Sequence, residues 1–97
     1  MGLVLHRLIQ RDLRSVLAYY RGEVGSELTR RFYAEFEKLL EEVAVNPMRF
    51  HLVSETLRRA NFRRFPYHLL FRVTDNNVRV LVLRHHRRDP SLGLERH

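Results

Sequence analysis

Residues Leu57 to Pro90 read LRRANFRRFPYHLLFRVTDNNVRVLVLRHHRRDP, and two apolar runs inside them, Tyr67 to Val73 and Val78 to Leu83, flank the turn Asp75-Asn76-Asn77. β-Branched and aromatic runs on either side of a short Asp/Asn turn are the signature of a β-hairpin. In the first strand Tyr67, Leu69, Phe71 and Val73 point one way and His68, Leu70 and Arg72 the other. In the second, Val78, Val80 and Val82 share a face opposed by Arg79, Leu81 and Leu83. Both strands are apolar on one side and mixed on the other, so one face is covered and the other partly wet. Leu57 to Phe65 alternates weakly, with Leu57, Phe62 and Phe65 among arginines, which predicts an edge strand with a charged outer face, broken by Pro66. Between Arg58 and Arg88 stand nine arginines and a single acid, Asp75. The expected partner of such a surface is an anion.

The cover for that sheet lies upstream. Gly2 to His6 is a short apolar run and predicts a strand. From Ile9 the apolar positions Ile9, Leu13, Val16, Leu17 and Tyr20 recur every three or four residues, the spacing of a helix with one buried face. Gly22 supplies a stop, and after Glu23-Val24-Gly25 the hydroxyl of Ser26 is the expected N-cap of a second helix. Its stripe is Leu28, Phe32, Phe36, Leu39, Leu40 and Val43, and Asn46-Pro47 ends it because proline disfavours the helical region in the residue before it. So short a link makes the helices antiparallel neighbours. Two apolar stripes with nothing else to bury against must pack on the sheet. The predicted fold is α+β, β-α-α-β-β-β: an N-terminal strand and an antiparallel two-helix hairpin on one face of a small antiparallel sheet. Residues 1–97 are expected to form a single domain. Ser91 to His97 has no periodicity and reads as a mobile end.

Composition narrows the class of partner. The chain has no cysteine, which excludes disulfides and thiolate metal sites. No apolar run approaches the roughly 20 residues of a membrane-spanning helix, and the N-terminus has no signal-peptide pattern, so no membrane partner and a cytoplasmic location are expected. The net charge of +7 is unevenly placed: residues 1–57 sum to zero and residues 58–97 carry all of it. Arginine predominates over a single lysine, Lys38, and the guanidinium fork suits phosphate and carboxylate bidentately. A GC-rich genome explains the preference for arginine but not the uneven charge. Arg58, Arg59, Arg63, Arg64, Arg84, Arg87 and Arg88 are the candidates for a nucleic-acid or partner-protein surface, while Arg72 and Arg79 read as the solvated edge of the hairpin. His68, His85 and His86 titrate near neutrality beside these arginines. The favoured reading of each is a strand-end residue hydrogen-bonded to backbone. The sharper one is an acid–base pair with Arg63, Arg84 or Arg87 as a phosphate clamp. His85 and His86 point to opposite faces of a strand, so no metal is expected, nor any other cofactor. Tyr20 continues the buried stripe; Tyr19, about 100° away around the helix, reads as a cover for the sheet edge or a partner contact, the former favoured.

The order of these motifs resembles a known family. An RDL…YY helix, a long helix ending in NP, LRR followed by RRFPY, a hairpin and a closing HHRRDP, spanning Asp12 to Pro90, are similar to the RelE/ParE superfamily of toxins from bacterial type II toxin-antitoxin modules, closest to the ParE branch, also called plasmid stabilization proteins. The resemblance implies a small toxin silenced by a cognate antitoxin that wraps it, in a toxin-antitoxin hetero-oligomer. ParE-like members inhibit DNA gyrase and replication without chemistry of their own; RelE-like members are endoribonucleases that cut mRNA on the ribosome. Cleavage needs a base, an acid and cations. The positions that carry them in RelE-like proteins fall here on His68, on His85 or His86, and near Leu92, and Lys38 lies in mid-helix. Leucine cannot transfer a proton. The resemblance therefore favours a gyrase inhibitor that is not an enzyme, with a histidine-based endoribonuclease, partnered by ribosome and mRNA, as the alternative. A degenerate, non-toxic nucleic-acid-binding relative is a third reading.

Overall fold

A computed structural model of the protein describes residues 2–23 and 25–97. The element order is β1 (Gly2–Leu5), α1 (Ile9–Glu23), α2 (Ser26–Val45), a single 3-10 turn (Pro47–Arg49), β2 (Arg58–Asn61), β3 (Tyr67–Thr74) and β4 (Asn77–His85). The sheet order is β1-β4-β3-β2. This is the expected β-α-α-β-β-β architecture. The pairings β2/β3 and β3/β4 are antiparallel, but β1 joins β4 in parallel, Leu3 beside Val78 and Leu5 beside Val80, so the sheet is mixed rather than wholly antiparallel. A strand followed by two helices arrives on the far edge of the sheet running the same way as β4, which a hairpin connection could not achieve.

The helices cover one face. Ile9, Val16 and Tyr20 of α1 and Phe32, Phe36, Leu39 and Val43 of α2 form one cluster with Leu69, Phe71, Val78 and Val80 of the sheet. At its centre Phe32 lies 4.7 Å from Phe62 in a stacked pair and 5.0 Å from Phe65 in an edge-on one. Those two phenylalanines belong to a loop, because β2 ends at Asn61 instead of continuing to Phe65. The loop drives Phe62 and Phe65 inward and turns Arg63 and Arg64 outward, where their backbone N–H groups both donate to the Glu35 carboxylate on α2.

Three further expectations are corrected. Ser26 does not cap α2: Gly25, at φ 98°, is the cap residue, and its N–H donates to Tyr20 O (3.0 Å) at the end of α1. Glycine alone takes that φ without strain. Val24, within the link read from the sequence, lies outside the described residues. Secondly, β3 and β4 shift register between Leu70↔Val82 and Phe71↔Val80, leaving Leu81 as an extra bulge residue. Past it the strand's faces exchange, so Leu83 joins the helix side and Val82 the opposite side with Leu70.

The third correction is Ser91 to His97, which packs as a strap across that opposite face. Gly93, at φ 86°, sits so near Val82 that a Cβ there would lie 2.7 Å from the valine side chain. Arg96 is buried and forms a bidentate pair with Asp12 of α1, 2.7 and 3.2 Å, while donating to Leu81 O at 3.0 Å. Asp12 also accepts the Leu83 N–H at 3.1 Å. With side chains 4% and 11% exposed, this pair is out of water. Removing one member of a buried, hydrogen-bonded pair strands its partner, so Asp12→Ala is expected to cost about 3–5 kcal/mol in urea unfolding. The apolar double replacement Asp12→Leu/Arg96→Met should recover part of that loss. An Asp12→Ala midpoint equal to that of the parent chain would contradict this account.

Candidate functional site

The seven candidate arginines do not form one surface. Arg58 points to the helix side of the edge strand and donates to Phe50 O at 2.6 Å, pinning the segment before β2. Arg63 and Arg64 sit against α2 and line a groove of about 570 Å³ floored by Leu28, Ala34 and Phe65, with Arg31 and Lys38 on its other bank. Arg63 also lies 3.8 Å from Glu42. Arg59 and Arg84 meet on the face away from the helices. Arg87 and Arg88 are exposed in the turn after β4. Arg72 and Arg79, read as a solvated edge, are direct cross-strand neighbours on the same face as Arg59 and Arg84, and both are half-buried.

What Arg59 and Arg84 approach is the histidine pair. His68 is 1% exposed, in the middle of the sheet opposite Arg84. Arg84 Nε lies 2.9 Å from His68 Nε2, and His68 Nδ1 lies 2.9 Å from His86 Nδ1. Arg59 Nη2 lies 3.1 Å from that same His86 nitrogen, and Arg59 Nε donates to Asn61 Oδ1 at 2.7 Å. The tautomers follow from the network. A guanidinium N–H only donates, so His68 Nε2 accepts and Nδ1 carries the hydrogen. That hydrogen points at His86 Nδ1, which must accept it together with the Arg59 N–H. His86 therefore carries its hydrogen on Nε2.

Electrostatics agree with this assignment. Burial, then the guanidiniums of Arg59 and Arg84, push His68 down to about 3. Burial, Arg59 and His85 lower His86. Burial and Arg59 also lower Arg84, whose Nη1 donates to Pro90 O and Leu92 O at 2.8 and 2.9 Å and so ties the strap to β4. His85 leaves the strand on the helix side, edge-on to Tyr67 at 5.0 Å, and its Nδ1 accepts the Arg87 backbone N–H at 3.0 Å. Each of the three histidines thus has its lone pair occupied by a donor. Arg63 and Arg87, offered by the sequence as phosphate clamps, have no hydrogen bond to any of the three rings through their side chains; only Arg84 has.

Two features escaped sequence reasoning. The strap that holds Arg84 begins at the Asp89-Pro90 break, where local pattern ends, and only the positive φ required of Gly93 marks it. A cleft of about 470 Å³ also opens between α1 and the end of β4. Tyr19, expected to cover the sheet edge, is 58% exposed and lines this cleft, while Tyr20 is buried as expected.

Comparison with known proteins agrees with the geometry. The family model described as ParE toxin of type II toxin-antitoxin system, parDE, matches residues 3–90. Toxin ParE2 of Mycobacterium tuberculosis, in strains CDC 1551 / Oshkosh and ATCC 25618 / H37Rv, is 22% identical over 89 residues, covering 92% of this chain and 85% of the relative. Among solved structures, a chain described as the chromosomal ParDE TA system from P. aeruginosa superposes with a TM-score of 0.78 at 17% identity, over 88% of this chain and 95% of that one.

A neutral, buried histidine makes stability depend on pH with a fixed sign. The unfolded chain protonates His68 near its ordinary value of about 6.5, whereas the folded chain resists protonation until about 3, so the unfolded state binds more protons as pH falls and stability drops. The contribution is complete above about pH 6.5. Between pH 6.5 and 5, before most carboxylates titrate, His68 should account for a loss of up to about 2 kcal/mol. Urea midpoints measured across that range should fall less steeply for His68→Leu than for the parent chain; parallel slopes would mean that His68 is protonated in the fold.

Proposed function

Since the chain belongs to the ParE toxin family of type II toxin-antitoxin systems, we propose that it acts by stoichiometric binding, inhibiting DNA gyrase and hence replication, and that a cognate antitoxin silences it. The observation that carries the binding half of this reading is the occupancy of the histidines. A general base must offer a lone pair to the proton it removes. Arg84, the His68 N–H with Arg59, and the Arg87 N–H fill the lone pairs of His68, His86 and His85 respectively. The proposed histidine endoribonuclease therefore has no poised base, and Leu92 supplies backbone oxygen, not a proton donor, to Arg84. Choice of gyrase as the target rests on the family resemblance.

The antitoxin reading is supported by the ParDE description of the structural neighbour and by the groove along α2. Arg31, Lys38, Arg63 and Arg64 border an apolar floor of Leu28 and Phe65 there. An amphipathic segment with an acidic flank satisfies both, and the complex is a hetero-oligomer. No helix among the described residues is long and apolar enough to cross a membrane. Both gyrase and an intracellular antitoxin place the toxin in the cytoplasm.

Expression without antitoxin should produce gyrase-dependent double-strand breaks and a DNA-damage response, with mRNA intact at codon resolution. His85→Gln/His86→Gln, both at the accessible strand end, should keep toxicity within about threefold of the parent, since neither ring is asked for chemistry. Codon-positioned mRNA cuts that disappear in the double variant would replace this proposal with the endoribonuclease.

A further inference from the structure

The cleft between α1 and the end of β4 is separate from the groove along α2 and touches the histidine network only at Arg84 and His85. One wall is a single face of α1, where Arg11, Ser15 and Tyr19 recur every four residues. His85 and Arg88 form the opposite wall, over a floor of Val16, Leu83 and Leu92. Asp12 is the sole acid in the lining, and its two oxygens are committed to Arg96 and to the Leu83 N–H. Arg11 and Arg88 form no ion pair or side-chain hydrogen bond with the described residues. His85 accepts at Nδ1 from the Arg87 N–H, so its Nε2 presents a hydrogen. The free polar groups of the walls are thus cationic or N–H donors beside the hydroxyls of Ser15, Tyr19 and Tyr67, and no carboxylate is left over.

A receptor of donors recognises an anion, and two guanidiniums that line one cleft, from α1 and from the turn after β4, suit a phosphate, which offers several acceptor oxygens. The space of about 470 Å³ is in the range of small-molecule sites and leaves room beyond one phosphate. That room is bounded by an aromatic ring: Tyr19 lines the cleft, is 58% exposed and packs in an edge-on pair with Tyr20 at 5.3 Å, so it has ring surface left for a ligand. Bases stack on such rings regardless of sequence. An extended acidic peptide fits less well, because its backbone N–H groups would enter a cleft whose one carboxylate is already spent.

We propose that this cleft binds a nucleotide, its phosphate between Arg11 and Arg88 and its base against Tyr19. The same chemistry is offered by a free nucleotide and by the phosphorylated end of a nucleic-acid strand. Calorimetric titration of the full chain with AMP, adenosine and inorganic phosphate tests the site, and a short single strand with or without a 5′-phosphate distinguishes the sources. AMP should bind at least about tenfold more tightly than adenosine or phosphate alone. Arg11→Gln and Arg88→Gln, at exposed positions that leave the urea midpoint unchanged, should each weaken AMP by about tenfold, and Tyr19→Ala should bring AMP to the level of phosphate. Dependence of strand binding on its 5′-phosphate would assign the strand end; AMP binding with no such dependence would assign the free nucleotide. AMP no tighter than phosphate, indifference to all three substitutions, or displacement of AMP by an acidic peptide at lower concentration would overturn the site. None of these outcomes depends on gyrase, so the two readings stand or fall separately.

Discussion

Beyond Val80 the outer edge of β4 runs on without a strand to pair with, since β1 stops at Leu5 and His6 makes the last backbone bond, to Val80 O. The next outward-facing groups, Leu81 O and Leu83 N–H, would be buried without partners beneath α1. Asp12 and Arg96 serve as a substitute strand, the carboxylate taking the N–H and the guanidinium the carbonyl, each neutralising the other. An uncompensated backbone group in that position costs about 1–3 kcal/mol, and a lone buried charge costs more, so neither residue is tolerable alone. This one arrangement fixes how far β1 extends, where α1 lies and why the strap returns across the sheet. The strap in turn holds Arg84 through two carbonyls, and Arg84 sets the tautomer of His68.

The electrostatic logic of the exposed end of the sheet follows. Cations gathered without acids usually repel until a ligand arrives. Here Arg59 and Arg84 bracket two uncharged imidazoles, which convert part of that repulsion into donor–acceptor pairs while keeping both guanidiniums charged. Histidine is suited to this use because it accepts on one nitrogen and donates on the other. The same assignment that makes the network stable places a donor on the lone pair of each imidazole. Stability and the occupation of the imidazole lone pairs thus have one cause in this region.

Periodicity was sufficient for the helices and for the existence of the hairpin. The stripes of α1 and α2 are buried where the spacing of Ile9, Val16, Tyr20, Phe32, Phe36, Leu39 and Val43 puts them. The sheet was less legible, since a single inserted residue at Leu81 reverses every later side chain and leaves no trace in a continuous apolar run such as VRVLVLR. The loop 62–66 misled for a related reason: Phe62 and Phe65 alternate with arginines as a strand would, but their destination is the helix pair. The seven arginines are spread over separate surfaces, because charge density along a chain says nothing of which way a loop or strand turns. The cleft could not be read from sequence at all. Arg11, Tyr19 and Arg88 come from distant segments, and only Tyr19, left over by the helical stripe, hinted that something stood there.

The partners of β4 also differ in how far apart they lie along the chain. β3 and β4 are joined by a two-residue turn, whereas Asp12 and Arg96 are separated by 84 residues. Closing a long loop is entropically costly before its contacts compensate, so local pairing forms first and distant pairing later. The hairpin is the natural nucleus, and β1, α1 and the strap are late arrivals that depend on one another through Asp12. Until the second step is complete the outer margin of β4 is open to other extended chains, which makes the interval between the two steps the molecule's period of greatest susceptibility to aggregation.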